Sequence, residues 1–346
     1  MRFGVRFSFL ALLVGVIVAL AAPAGAYAAV EVEKFVGVNC KPAFEHCGEK
    51  VVGADIFGEP IAETVEPSLE ESEKQGYTQA AGHVPFGVTD FTLKHSGSLA
   101  TATAVPSGVV THVRVDVAAG LATSPAGVPQ CTLAEFGAAE AIPGTGFYAA
   151  SKCKEGTGAN KTGPESTVIG EETATVFVEP LAEKSLPPDV TLRGTLYNLV
   201  QPEPPAARAS LFGAALKLPI GLTKGILEGI FKKSKPEVEN AQYYAHTLVE
   251  GNVEWGQEAK GTNVGDYHDY FEVKVSPALP VIRSRQEDYG RAGNGAFITN
   301  ATSCPGNHTT LLSLEGVAIG GAKEVEERLA SGNRELVRRP YTTLLG

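Results

Sequence analysis

The densest grouping of side chains that chemistry could use is Asp266-Tyr267-His268-Asp269, preceded by Glu254 and Glu258. Carboxylates beside a histidine suit a hard divalent cation, and a pair of carboxylates at a fixed separation suits glycoside hydrolysis. One functional reading follows: a secreted hydrolase acting on glycans through Glu254 and Asp266. Nothing in the spacing fixes the distance between those two acids, and acids at the start of a strand are commonly just solvated. No catalytic or metal-ligating residue is therefore assigned.

Other catalytic patterns fail. Gly156-Thr157-Gly158-Ala159-Asn160-Lys161-Thr162 lacks the glycines that a phosphate loop needs at 155 and 160. Gly144-x-Gly146-x-x-Ala149 follows Pro143 with no βαβ pattern around it. There is no G-x-S-x-G elbow and no H-E-x-x-H. No cofactor is implied.

A binding face is the other possibility. Tyr243, Tyr244, Trp255, Tyr267, Tyr270 and Phe271 concentrate aromatic rings far above the 8% of the whole chain. Exposed, Tyr244, Trp255 and Tyr267 would make a platform for a sugar or a protein; alternating along strands, such rings are more often core. Gly251-Asn252 separates two strand-like runs and predicts a two-residue hairpin turn, with Leu248 opposite Trp255 and Tyr244 on the same face.

These residues need a frame. Val109–Val117 alternates apolar and polar residues, the period of a half-buried strand. Similar runs occur at Thr173–Glu179, Val190–Val200, Leu211–Leu218, Phe271–Val275 and Phe297–Asn300. With 39 Gly and 22 Pro, turns are abundant. The expected fold is mainly β, an antiparallel β-sandwich-like domain with one or two short helices. Leu222, Ile226, Leu227 and Ile230 predict one helix, covering a sheet end rather than lying on a membrane, and a weaker one spans Ala322–Leu329.

Arg2 and Arg6, the apolar run Phe7–Leu20 and the small residues before Ala28 have the layout of a secretory signal peptide over 1–28. A retained anchor is the alternative, but the apolar run is short for a span. The membrane is otherwise not expected to be a partner. Residues 29–76 are expected to be an irregular acidic segment with a Cys40/Cys47 loop, and 77–346 a β-rich domain. The net charge of −10 becomes more negative once the signal peptide is gone, which disfavours nucleic acid. Export places the chain in an oxidising compartment, outside the cell or associated with its envelope. Cell-envelope components or other exported proteins are the partners expected there.

The five cysteines read accordingly. Cys40 and Cys47 lie close enough to close a short loop. Cys131 and Cys153 bracket a Gly- and Ala-rich segment that lacks apolar bulk. Cys304 is left unpaired. The preferred function is a non-enzymatic exported protein with a structural or binding role at or outside the cell envelope, with the hydrolase as the alternative.

Several stretches resemble a family of large exported actinobacterial proteins of unknown function. They are Tyr77–Thr92 (with His83, Pro85 and Phe86), Val113–Leu121, Val128–Cys131, Leu196–Val200, Gly265–Tyr270, Val275–Pro280 and Phe297–Cys304. They run in the family's order over roughly residues 77–315. The resemblance implies export and a β-rich architecture, and no activity. Ser284–Asp288 is more polar than the corresponding family strand. Family members also continue further, with a second Cys after a strand resembling Tyr341-Thr342-Thr343. A truncated chain is thus expected, with a free or intermolecularly paired Cys304 in a complete protein as the alternative.

Overall fold

The computed structural model describes residues 30–342 except 45, 138, 157–161, 203–208, 230–240, 257–265, 303–308, 321 and 333. The signal-peptide segment, Glu258 and Cys304 lie outside the described residues.

Thirteen strands carry the argument. They are β1 (Val32–Cys40), β2 (Glu49–Ala54), β3 (Pro60–Thr64), β4 (Phe86–Leu93), β5 (Gly108–Asp116), β6 (Val168–Phe177) and β7 (Asp189–Asn198). Then follow β8 (Ser210–Lys217), β9 (Tyr244–Trp255), β10 (Tyr267–Lys274), β11 (Val281–Tyr289), β12 (Thr309–Ala318) and β13 (Glu335–Thr342). All but β2 and β3 belong to one antiparallel sheet, ordered β1-β4-β11-β6-β7-β8-β9-β10-β5-β12-β13, and Phe147–Tyr148 adds a short strand beside β9. The sheet curls nearly into a barrel. The seam lies between β1 and β13, where the Phe35 and Tyr341 rings meet edge to face at 6.2 Å. The expected mainly β, antiparallel class is present, with opposite halves of one curled sheet facing each other as the layers of a sandwich do.

Alternation explains why these segments become strands. Val113 and Val115 point inward while His112, Arg114 and Asp116 point outward. The interior core is built from such inward rows, including Phe35, Phe91, Leu192, Leu216, Leu312 and Leu314. Among the described residues five α-helices accompany the sheet. The longest, Ile220–Gly229, buries Leu222, Ile226 and Leu227 in that core, so its apolar face is covered by protein and not by lipid. The weaker predicted helix is present at Ala322–Ala330.

Two expectations are corrected. Residues 30–76 are not irregular: they hold β1, the β2–β3 hairpin and helix α1 (Leu69–Gln75), which is closed by a Ser68/Glu71 capping box. Acidic and lysine residues at the outward positions hide the strand pattern there. Nor is Gly251-Asn252 a turn. β9 runs straight through it, pairing with β8 on one side and β10 on the other. Gly251 is required by crowding instead, since a Cβ there would stand 2.0 Å from Ser210 Oγ and 2.8 Å from the Phe271 ring. Trp255 consequently pairs with Tyr267 rather than Leu248, and an odd number of residues along β9 puts it on the face opposite Tyr244.

Both expected disulfides, Cys40–Cys47 and Cys131–Cys153, are present. The second closes the segment that packs Phe136 on the outside of β7 and β8 and pairs Phe147–Tyr148 with β9. Serine at both Cys131 and Cys153 should lower the unfolding free energy by roughly 3 kcal/mol, the loop-closure value for a crosslink of this span. Denaturant titration would show it, and an unchanged midpoint would contradict it.

Candidate functional site: a cavity inside the barrel

Inward side chains leave a cavity of about 630 Å³ within the barrel. Most of its wall is apolar, with Val113, Val115, Leu216, Val249, Phe271 and Val273 lining one side. Helix α1 and the chain after it, Gly76–Ala80, contribute to one end. The opposite side is polar and comes from β6 and β11. Glu172 lies across from Gln286 in register, and Ser284 and Asp288 flank Gln286 on the same inward face.

The hydrogen bonds there are local. Ser284 Oγ donates to Glu172 Oε1 at 2.7 Å, and Gln286 Nε2 donates to both Asp288 carboxylate oxygens at 3.0 Å. Both acids are deep in the protein yet keep surface, because they face the cavity. Burial pushes Glu172 up to about 8, opposed by the Ser284 hydrogen bond and reinforced by the charge of Asp288. Burial likewise pushes Asp288 up to about 7, against the Gln286 hydrogen bond. Asp269 also faces the cavity, accepting from the Thr123 N–H at 3.3 Å, and burial raises its pKa too.

The outer face of β11 explains why Arg283–Asp288 is polar throughout. Its outward residues Arg283, Arg285 and Glu287 form a second, separate set. Arg283 donates to Asp90 (3.0 Å from Nε) and to Glu49 (2.8 Å), and Arg285 donates to Asp90, Glu287 and the Cys47 carbonyl. Thr64 adds a 2.6 Å bond to Asp90. These contacts clamp the β2–β3 hairpin on the outer face of the strands whose inner face lines the cavity.

The residues singled out by chemistry are placed elsewhere. Glu254 and His268 meet Asp116 and Arg114 on the outer face of β5, β9 and β10. Donor atoms of Asp116, Glu254 and His268 lie within 4.8 Å of one another, a spacing that a metal could use. Arg114 already supplies the positive charge there, donating to Asp116 from Nε at 3.0 and 3.1 Å and to both Asp116 and Glu254 from Nη2. Burial would raise the Asp116 pKa, but the bonds from Arg114 and His268 hold it below the usual carboxylate value. Asp266 does not join them; its carbonyl accepts the Gly256 N–H.

The aromatic platform is also divided. Tyr243 belongs to the interior core and Phe271 lines the cavity, while Tyr244 packs on the outside with the Cys131–Cys153 cluster. Tyr270 stacks under Arg114 at 3.8 Å. Trp255 and Tyr267 alone remain exposed, edge to face at 4.9 Å. Trp255→Ala should therefore cost under about 1 kcal/mol, in line with other exposed positions. A loss of several kcal/mol on thermal denaturation would contradict this.

Sequence reasoning missed Glu172 and Asp288. The available signal was Ser284–Asp288, a strand polar on both faces. Compared with known proteins, the chain matches no family model, no curated protein and no solved structure.

Proposed function

We propose that this chain is an exported, non-enzymatic binding protein that works at or outside the cell envelope and holds one small, largely apolar molecule inside its barrel. The observation that carries the reading is the cavity itself. Its volume falls in the range of roughly 300–1,000 Å³ typical of small-molecule sites, and its wall is mainly apolar with a few convergent polar groups. The secretory layout of residues 1–28 and the two disulfides support export. Among the described residues no helix is long and apolar enough to cross a membrane.

The hydrolase reading has less support. Glu254 is engaged by Arg114, and Asp266 is not brought beside it. The test of the binding reading is a fluorescence titration of the folded, exported form with N-phenyl-1-naphthylamine, a neutral apolar probe. Saturable binding of one probe per chain, with a rise in unfolding temperature as the probe concentration increases, is expected. No saturable binding would contradict it.

A further inference from the structure

We infer that the cavity selects apolar molecules bearing one cationic nitrogen, such as a long-chain ammonium, and that Glu172 and Asp288 bind that nitrogen. The inference rests on reading the cavity as a ligand site and adds its charge selectivity.

Three observations lead there. First, the cavity lining includes three carboxyl side chains, Glu172, Asp269 and Asp288, and no Lys, Arg or His among the described residues. An anionic head group would find no cation to pair with among the described lining residues. Second, the same strands treat their two faces differently. On the outer face Asp90, Glu49 and Glu287 each meet Arg283 or Arg285. On the inner face Glu172 and Asp288 have only the neutral donors Ser284 and Gln286, and Glu172 Oε2 has no hydrogen-bond partner among the described residues. Deeply placed carboxylates without a cation are costly, and a bound cation removes that cost. Third, Glu172 and Asp288 stand on β6 and β11, while β5, β8, β9 and β10 present mainly apolar side chains with Asp269 as their one acid, the layout for an amphiphile with a charged head and a hydrocarbon body.

Burial leaves both acids substantially protonated near neutral pH when the site is empty of a cation. An entering ammonium ion replaces that proton, which passes to solvent, so charge stays balanced within the barrel. Ser284 holds Glu172 through Oε1 alone, and the single Gln286 amide bridges both Asp288 oxygens, so each acid has one neutral donor.

The experiment is displacement of bound N-phenyl-1-naphthylamine by dodecylammonium, dodecanol and dodecanoate, each below its micelle concentration, in about 0.3 M salt to screen the acidic surface. Dodecylammonium should displace the probe at a concentration at least about tenfold lower than either of the others. In a Glu172→Gln/Asp288→Asn variant that preference should vanish while dodecanol keeps its potency. Equal potency of the three, or a preference for dodecanoate, in the unaltered protein would overturn the charge inference and leave the cavity reading standing. Survival of the ammonium preference in the folded double variant would overturn the assignment to these two acids. Should the double variant not fold, the ranking in the unaltered protein and in Asp288→Asn alone decides. A protein that binds no probe at all would instead refute the cavity reading, and this inference with it.

Discussion

Arg283→Met should lower the unfolding free energy by about 3 kcal/mol. Arg283 is 1% exposed and Asp90 is fully buried. Removing one partner of a buried ion pair leaves an uncompensated charge, which typically costs roughly 3–5 kcal/mol. The lower end applies because Arg285 remains 3.2 Å from Asp90 and keeps part of the compensation. Adding Asp90→Asn to Arg283→Met should restore part of the loss, because the stranded charge is removed with its partner. Chemical denaturation of the single and double variants would measure both. A cost below about 1 kcal/mol for Arg283→Met, or a double variant as unstable as the sum of its parts, would show that the network does not hold the hairpin.

The second large effect is on pH dependence. Glu172 sits near 8 and Asp288 near 7 in the folded chain, against 4.5 and 3.8 for the free side chains. At these two groups the folded state therefore binds more protons than the unfolded state between roughly pH 4 and 8, and their contribution to stability falls as pH rises through that window. From the other face of the sheet Arg283 lowers the Glu172 pKa while Asp90 raises it and Glu287 raises that of Asp288; Asp269 faces the same cavity, and no cation lines the barrel interior among the described residues. The unaltered, ligand-free protein should lose on the order of a few kcal/mol across the window. Glu172→Gln/Asp288→Asn should flatten the slope and be the more stable protein at pH 8. Identical slopes in the two proteins would contradict the placement of these acids.

Much of the frame was legible because strands with one inward face alternate visibly: Val109–Val117 became β5 almost unchanged. The disulfides were legible because their loops are short and local. The Gly251-Asn252 error has a physical cause. Glycine marks a turn when its backbone needs a positive φ, but it also marks a strand where neighbours approach too closely for a Cβ, and only the partners Ser210 and Phe271 distinguish the two. The site was harder still. Ser284–Asp288 was visibly too polar for a half-buried strand, yet its inner partner Glu172 lies 112 residues earlier than Ser284. Pairing across that distance is decided by the order of strands in the sheet, which no local pattern states. Asp266, His268 and Asp269 were prominent because they are neighbours in the sequence; in space Glu254 and His268 serve Arg114 and Asp116, while Asp269 faces the cavity.

The most direct test of the account is to fill the cavity. Ala174 and Ala214 line it from β6 and β8, and Ala174→Phe or Ala214→Leu would each place side-chain volume where the ligand is held. Each folded variant, checked by circular dichroism and a cooperative unfolding transition, should bind N-phenyl-1-naphthylamine at least about tenfold more weakly than the unaltered protein. Folded variants that bind the probe as tightly as the original would place binding elsewhere and contradict the claim that the barrel interior is the functional site.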